Sequence, residues 1–170
     1  MDLKSYIRDV PDFPVPEIMF KDITPVLKEP AALLYVIESF AERYADGLID
    51  LIVGVEARGF LFAAPLALRL GKPLIPVRKK GKLPADTISV SYALEYGEAS
   101  VEVHIDAIGP GQKILIVDDL LATGGTLAAA AGLVEQAGGE VAGFAVLIEL
   151  TALEGRARLA PHDLFSLVQY

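Results

Sequence analysis

Lys113-Ile114-Leu115-Ile116-Val117 is an unbroken apolar run of strand length, closed by two adjacent carboxylates, Asp118 and Asp119. A strand with no polar alternation has to be covered on both faces, which is the situation inside a parallel sheet flanked by helices. The surrounding sequence supplies the partners. Leu51-Ile52-Val53-Gly54-Val55 is a second apolar run, and a helix is predicted from Gly59 to Leu70, ended by Gly71. Leu74-Ile75-Pro76-Val77 follows, its flanking prolines pointing to a strand edge or end. Ile88, Val90 and Tyr92 alternate, as do Val101, Val103 and Ile105 across the turn Glu95-Tyr96-Gly97-Glu98, so 88–104 reads as a hairpin. An Ala-rich helix over Leu127–Ala137 and strands at Val141–Leu150 and Leu164–Val168 complete an α/β fold with a mainly parallel sheet.

Upstream, Leu34, Ile37, Phe40, Ala41 and Tyr44 set the apolar face of a helix over 31–45. The first thirty residues carry five prolines (Pro11, Pro14, Pro16, Pro25, Pro30) between exposed-type and apolar residues. They predict an ordered, irregular wrap with at most short helices. At 170 residues the chain has room for one domain, 1–170. The sequence contains no cysteine, so it has no thiolate nucleophile or thiolate metal site. No His/Cys cluster has metal-ligand spacing, and His104 and His162 are read as structural. The first residues lack a signal-peptide pattern, and no run is long enough to cross a bilayer. A soluble, cytoplasmic protein without a membrane partner is expected.

A net charge of −8 argues against a nucleic-acid-binding surface. The exception is Arg78-Lys79-Lys80-Gly81-Lys82, four cations in five residues, either a solvated loop or an anion clamp.

Ile116-Val117-Asp118-Asp119-Leu120-Leu121-Ala122-Thr123-Gly124-Gly125-Thr126 carries the most chemistry. A buried strand brings two carboxylates to its carboxyl end, where open α/β sheets bind ligands. Ala122, Thr123, Gly124 and Gly125 offer backbone N–H groups without bulk. The following helix adds roughly +0.5 charge at its start, and Thr126 is placed to cap it. A phosphate monoester fits the loop, and the carboxylates suit vicinal ribose hydroxyls. Neither a G-x-x-x-x-G-K-[ST] loop nor a G-x-G-x-x-G fingerprint is present, which removes nucleoside-triphosphatase and dinucleotide-binding readings.

This segment resembles the phosphoribosyl-pyrophosphate motif of the type I phosphoribosyltransferases. The resemblance extends along nearly the whole chain to the adenine-using branch of that family. It runs in order through Phe13-Pro14-Val15-Pro16 with Phe20-Lys21-Asp22-Ile23-Thr24-Pro25, Glu56-Ala57-Arg58-Gly59-Phe60, Arg78–Pro84, Ser91–Gly97 and Glu149–Arg156. One departure is Glu17, which stands where the family usually has glycine.

The resemblance implies an N-terminal base-recognition hood (1–30) and a flexible hairpin lid (82–98) over a type I phosphoribosyltransferase fold. It implies the substrates adenine and phosphoribosyl pyrophosphate, Mg²⁺ held mainly by substrate oxygens rather than by a protein metal site, and a homodimer. Arg58, Arg78, Lys79 and Lys82 fall on the pyrophosphate side, and Tyr96 beside the substrate. Met19, Phe20, Lys21 and Leu120 fall around the base, read through main-chain groups and apolar walls. Glu95 is the candidate for proton transfer. Ionised, it can take the proton that adenine loses or stabilise positive charge at the anomeric carbon; raised by desolvation, it can donate. Two other functions are compatible with the cradle: salvage of xanthine, hypoxanthine or orotate, and a non-catalytic phosphoribosyl pyrophosphate sensor. The hood type disfavours the first, and the acidic chain disfavours the second.

Overall fold

The computed structural model describes residues 1–45, 47–93 and 97–170. The N-terminal wrap is more regular than its prolines suggest. After a single 3-10 turn (Leu3–Tyr6), β1 (Arg8–Val10) pairs antiparallel with β2 (Phe20–Asp22), and α1 (Thr24–Lys28) follows. The strand pair was not legible because each partner has three residues and the prolines all lie outside them.

The turn between β1 and β2 explains the unusual residue at its tip. Glu17 has φ 71°, in the left-handed region, and its N–H donates to Asp12 Oδ1 at 2.9 Å. Left-handed backbone costs an L-residue roughly 1–2 kcal/mol, of which glycine's greater unfolded-state entropy would return roughly 0.4–1. Glu17→Gly is therefore expected to stabilise the protein by about 0.5–1 kcal/mol, or about 1–4 °C in Tm for a chain this size. A thermal melt in which the variant unfolds earlier than the parent would contradict this account of the hood turn.

α2 (Pro30–Arg43) starts with proline in its first turn, and the Glu29 side chain accepts from Ala31 N. Its buried face is Ala32, Val36, Ile37, Phe40 and Ala41, while Leu34 is exposed. The expected stripe was therefore off by part of a turn at its N-terminal end. Next come β3 (Leu51–Val55), α3 (Phe60–Leu70), β4 (Leu74–Lys79) and the hairpin β5 (Thr87–Ala93) with β6 (Glu98–His104). Ile105 lies beyond β6 and is exposed, so the alternation stops one step early. The chain ends with β7 (Lys113–Leu121), α4 (Gly125–Gln136), β8 (Glu140–Glu149), a short α5 (Gly155–Leu159) and β9 (Leu164–Gln169).

Among the described residues the main sheet has seven strands in the order β5-β6-β4-β3-β7-β8-β9. β4, β3, β7, β8 and β9 are parallel to one another, and the β5–β6 hairpin joins antiparallel. β4 is thus interior, contrary to the edge that its prolines suggested. The sheet tolerates Pro76 because β6 meets β4 only at Arg78 and Lys79, past the proline. Pro76 costs no ladder bond there.

β7 accounts for its own unbroken apolarity. Leu115 and Val117 pack into the core beneath α1, α2 and α3, while Ile114 and Ile116 pack into the core beneath α4. All four are fully buried, each contributing roughly 1.5–3 kcal/mol of transfer free energy. The strand does not stop at Val117. It continues through both aspartates, with Leu120 opposite Ile148 and Leu121 opposite Glu149 of β8. No helix of the described residues is long and apolar enough to cross a membrane.

Candidate active site

The carboxyl ends of β3, β4 and β7 and the start of α4 enclose a cavity of about 390 Å³. Arg58, Lys79, Asp118, Asp119, Leu120 and the whole Ala122–Thr126 loop line it. Most of the residues singled out from sequence therefore converge on one place. Glu56, Ala57, Leu121 and Leu127 line it as well. Of these, Glu56 was visible only as part of a motif.

The two aspartates sit differently on the wall. Asp119 is buried, and Asp118 is half-buried and accepts from Asp119 N at 2.8 Å through Oδ1. Burial pushes the Asp118 carboxyl well above the usual range, and the neighbouring charge of Asp119 adds to it. Burial also raises Asp119, against the opposing charge of Arg58. Arg58 Nε lies 2.9 Å from Asp119 Oδ2, yet that oxygen has no partner in hydrogen-bond geometry. The contact is a close ion pair, not a directed bond. The arginine also lies over the Phe20 ring, 5.1 Å from its centroid, and Phe20 meets Phe13 edge-on at 5.0 Å. Through this stack Phe20 of β2 meets the Arg58 side chain at the site.

Arg58 reaches this position because Gly59 lets the start of α3 press against the end of β3 and the middle of β7. A Cβ at Gly59 would lie 2.5 Å from Val55 O and 2.7 Å from Val117 O. Real Cβ atoms do not approach so closely, so only glycine fits.

The basic loop is held by carboxylates. Glu56 accepts from Arg78 Nε and Nη2, both at 3.2 Å, and from Lys79 N at 2.9 Å. Burial opposes its charge, but the Arg78 bonds and the Lys79 N–H outweigh it and hold the carboxyl below its ordinary value. Arg78 Nη1 donates to Lys82 O at 3.1 Å. Arg78 and Lys82 are thus tied to the cavity's rim, not to its lining. Lys21 points its ammonium away from the cavity, to Asp9 Oδ1 at 2.6 Å and over the Tyr170 ring at 3.8 Å. Met19 is exposed. Glu95 and Tyr96 lie outside the described residues.

The Ala122–Thr126 loop differs from expectation in one respect. Helix α4 begins at Gly125, capped by Gly124 in the left-handed region (φ 82°), so Thr126 lies inside the first turn. Its hydroxyl instead meets Tyr92 Oη at 3.1 Å. The apolar face of the hairpin is thus docked on α4, with Val90 and Tyr92 packed against the core beneath that helix.

Behind the loop stands a buttress that the sequence did not advertise. A Cβ at Gly124 would fall 2.7 Å from Gly155 O, and one at Gly155 would collide with Ala122 O. The two glycines thus bring backbone directly against backbone. Arg156 is fixed next to this contact by Glu149, at 2.8 and 2.6 Å, and Ser166 and Gln169 also donate to Glu149. The Arg156 bonds lead in holding the Glu149 carboxyl down at about 2. A depressed carboxylate stabilises the fold above its unfolded pKa of about 4.3 and loses that contribution as pH falls through the folded value. Glu149→Gln is expected to make the loss of stability between about pH 4 and pH 2 shallower. Denaturant melts across that window that give the parent's slope would refute it.

His104 Nε2 accepts from Ala85 N at 3.4 Å, and His162 lies edge-on to Phe144. Both have structural surroundings. No group of three or more His, Cys, Asp or Glu among the described residues is arranged to hold a metal ion. The donor set fits a hard cation that takes most of its oxygens from a substrate and water, beside an acidic wall.

A parallel sheet with a twin-carboxylate strand end, a glycine-threonine loop and a helix start is the architecture of a type I phosphoribosyltransferase, and residues 22–168 match the family model for the phosphoribosyl transferase domain. The chain is 56% identical over 170 residues to an adenine phosphoribosyltransferase of Roseiflexus castenholzii, covering 100% of this chain and 99% of that one. The crystal structure of adenine phosphoribosyltransferase from Thermoanaerobacter pseudethanolicus superposes with a TM-score of 0.96 at 54% identity, covering 99% and 98% of the two chains. The Saccharomyces cerevisiae enzyme, solved with an imino-altritol bisphosphate and adenine, gives 0.92 at 39%, covering 98% and 96%. This chain belongs to the adenine phosphoribosyltransferase family.

Proposed function

We propose that the chain transfers the phosphoribosyl group of phosphoribosyl pyrophosphate to adenine, giving AMP and pyrophosphate in purine salvage. The observation that carries this reading is the single cavity in which Asp118, Asp119 and the Ala122–Thr126 loop meet at the start of α4. Bond breaking ahead of bond making gives an oxocarbenium-like transition state, and the gain comes from positioning and electrostatics. Asp118 and Asp119 accept from the ribose hydroxyls. Ala122, Thr123, Gly124, Gly125 and Thr126 donate to the 5′-phosphate, helped by the helix start. Arg58, Arg78, Lys79 and Lys82 receive pyrophosphate. Arg58 leaves Asp119 to do so, which frees the carboxylate as the substrate arrives.

The base lies between Phe20 and Leu120, read by main-chain groups of Met19 and Lys21. The side chain of Lys21, already engaged by Asp9 and Tyr170, supports a main-chain role. Residues 1–30 serve as the hood and 82–98 as the lid, with Tyr96 beside the substrate. Glu95 manages the proton at the imidazole ring of adenine. Mg²⁺, held mainly by pyrophosphate and ribose oxygens, offsets the charge of the leaving group. We place the protein in the cytoplasm as a homodimer. Leu61 and Leu68 of α3, exposed in the single chain, are side chains that a second copy would cover.

The test is direct. Protein, Mg²⁺, phosphoribosyl pyrophosphate and adenine should yield AMP, and hypoxanthine, xanthine and orotate should yield far less of their nucleotides. Binding of phosphoribosyl pyrophosphate without nucleotide formation from any base would favour a sensor and overturn the assignment.

A further inference from the structure

Glu102 is a buried carboxylate outside the cavity, 4% exposed and flanked in β6 by the apolar Val101 and Val103. It stands opposite Arg78 in the antiparallel register of β4 and β6. Its Oε1 accepts three consecutive backbone N–H groups, from Gly81 at 3.0 Å and from Lys82 and Leu83 at 3.1 Å each. Oε2 is 3.5 Å from the Thr87 hydroxyl at the start of β5. Burial works against the charge, but the three backbone donors outweigh it and hold the carboxyl below its ordinary value. Such a carboxylate is an internal anion in a nest of amides.

The segment it gathers is the basic loop. Four cations within five residues repel one another, and a buried negative charge beside them offsets that repulsion. With its amides turned inward to Glu102 and Arg78 bonded to Lys82 O, the loop is closed on itself. Lys79, Lys80 and Lys82 are left exposed, and Lys79 borders the cavity. Glu102 reaches none of the cavity-lining positions.

We propose that Glu102 is a positioning residue for pyrophosphate, its carboxylate fixing the 81–83 backbone and through it the presentation of Lys79 and Lys82 to the leaving group. This rests on the transferase reading above. Its test is steady-state kinetics in both directions on the full chain with Mg²⁺. Glu102→Ala should raise KM for phosphoribosyl pyrophosphate, and for pyrophosphate in the reverse reaction, at least about tenfold, while KM for adenine and AMP stays within about twofold. Glu102→Gln keeps a carbonyl acceptor without the charge and should show the same split at about threefold, which carries the test should the alanine variant not fold. A fall in Tm with all four KM values unchanged, or moved alike, makes Glu102 a merely structural residue and overturns the proposal. A parent chain that forms no AMP overturns the reaction itself, and the proposal with it.

Discussion

Asp118→Asn combined with Asp119→Asn is expected to weaken use of phosphoribosyl pyrophosphate by about 30–200-fold, because each amide keeps a carbonyl acceptor but loses the charge, which is worth roughly 1–1.5 kcal/mol per hydrogen bond. Adenine affinity should change little if, as proposed, the base is held by Phe20 and Leu120 and the main chain of Met19 and Lys21. The same variant should melt at a higher temperature at neutral pH. Carboxyls raised in the folded state disfavour folding once ionised: their cost sets in as pH climbs past the unfolded value of about 3.9 and persists above the folded one. Amides remove that cost along with the repulsion between neighbours. Site residues that strain the fold they serve are a common trade. The two readouts together, a lost sugar-phosphate affinity and a gained Tm, separate a functional carboxylate pair from an ornamental strand end. Unchanged affinity for phosphoribosyl pyrophosphate would end the ribose assignment, and an unchanged or lower Tm would end the electrostatic account.

The second large effect is expected at Glu95. Glu95→Ala should lower turnover by about 10²–10⁴-fold if this residue transfers a proton in the transition state. The pH profile then tells which way the proton moves. An ionised Glu95 acting as base gives activity that falls toward acid, whereas a protonated Glu95 acting as donor gives activity that falls toward alkali. Glu95→Gln removes the titrating group, so a limb that vanishes from its residual activity belongs to Glu95 and a limb that stays belongs to another group. Near-parent turnover in Glu95→Ala would remove the residue from the chemistry altogether.

What could be read from the residues follows from which signals are local. The β7 run announced a doubly covered strand because hydrophobic periodicity is a direct record of burial. The position of the phosphate loop followed from the same strand. The end of β7 was placed at Val117 because the apolar run stops there, whereas the ladder continues through both acids to Leu121. Pro76 misled in the same way: proline reports a missing donor, not which neighbour is absent. The partners of Glu102 and Glu149 could not be read from the residues, although Glu149 stands in a block that carries the family resemblance. An acid between valines, or at the end of an apolar strand, reads as a surface residue. Only the fold reveals three amides from a distant loop, or an arginine returning seven positions later. Gly155 belongs to the same block, but its physical reason was out of reach, being a carbonyl more than thirty residues away in sequence.

That last contact has a bearing on anyone redesigning the loop that leads into α4. Ala122, Gly124 and Gly155 share one volume of space, so a side chain introduced on either segment has to be accommodated by the other. Loop libraries that vary 122–126 against a fixed 154–156 will return mostly misfolded or inactive members. Because each obstacle is backbone, changing the facing side chains does not relieve it, and Gly124 and Gly155 have to be held while other positions vary.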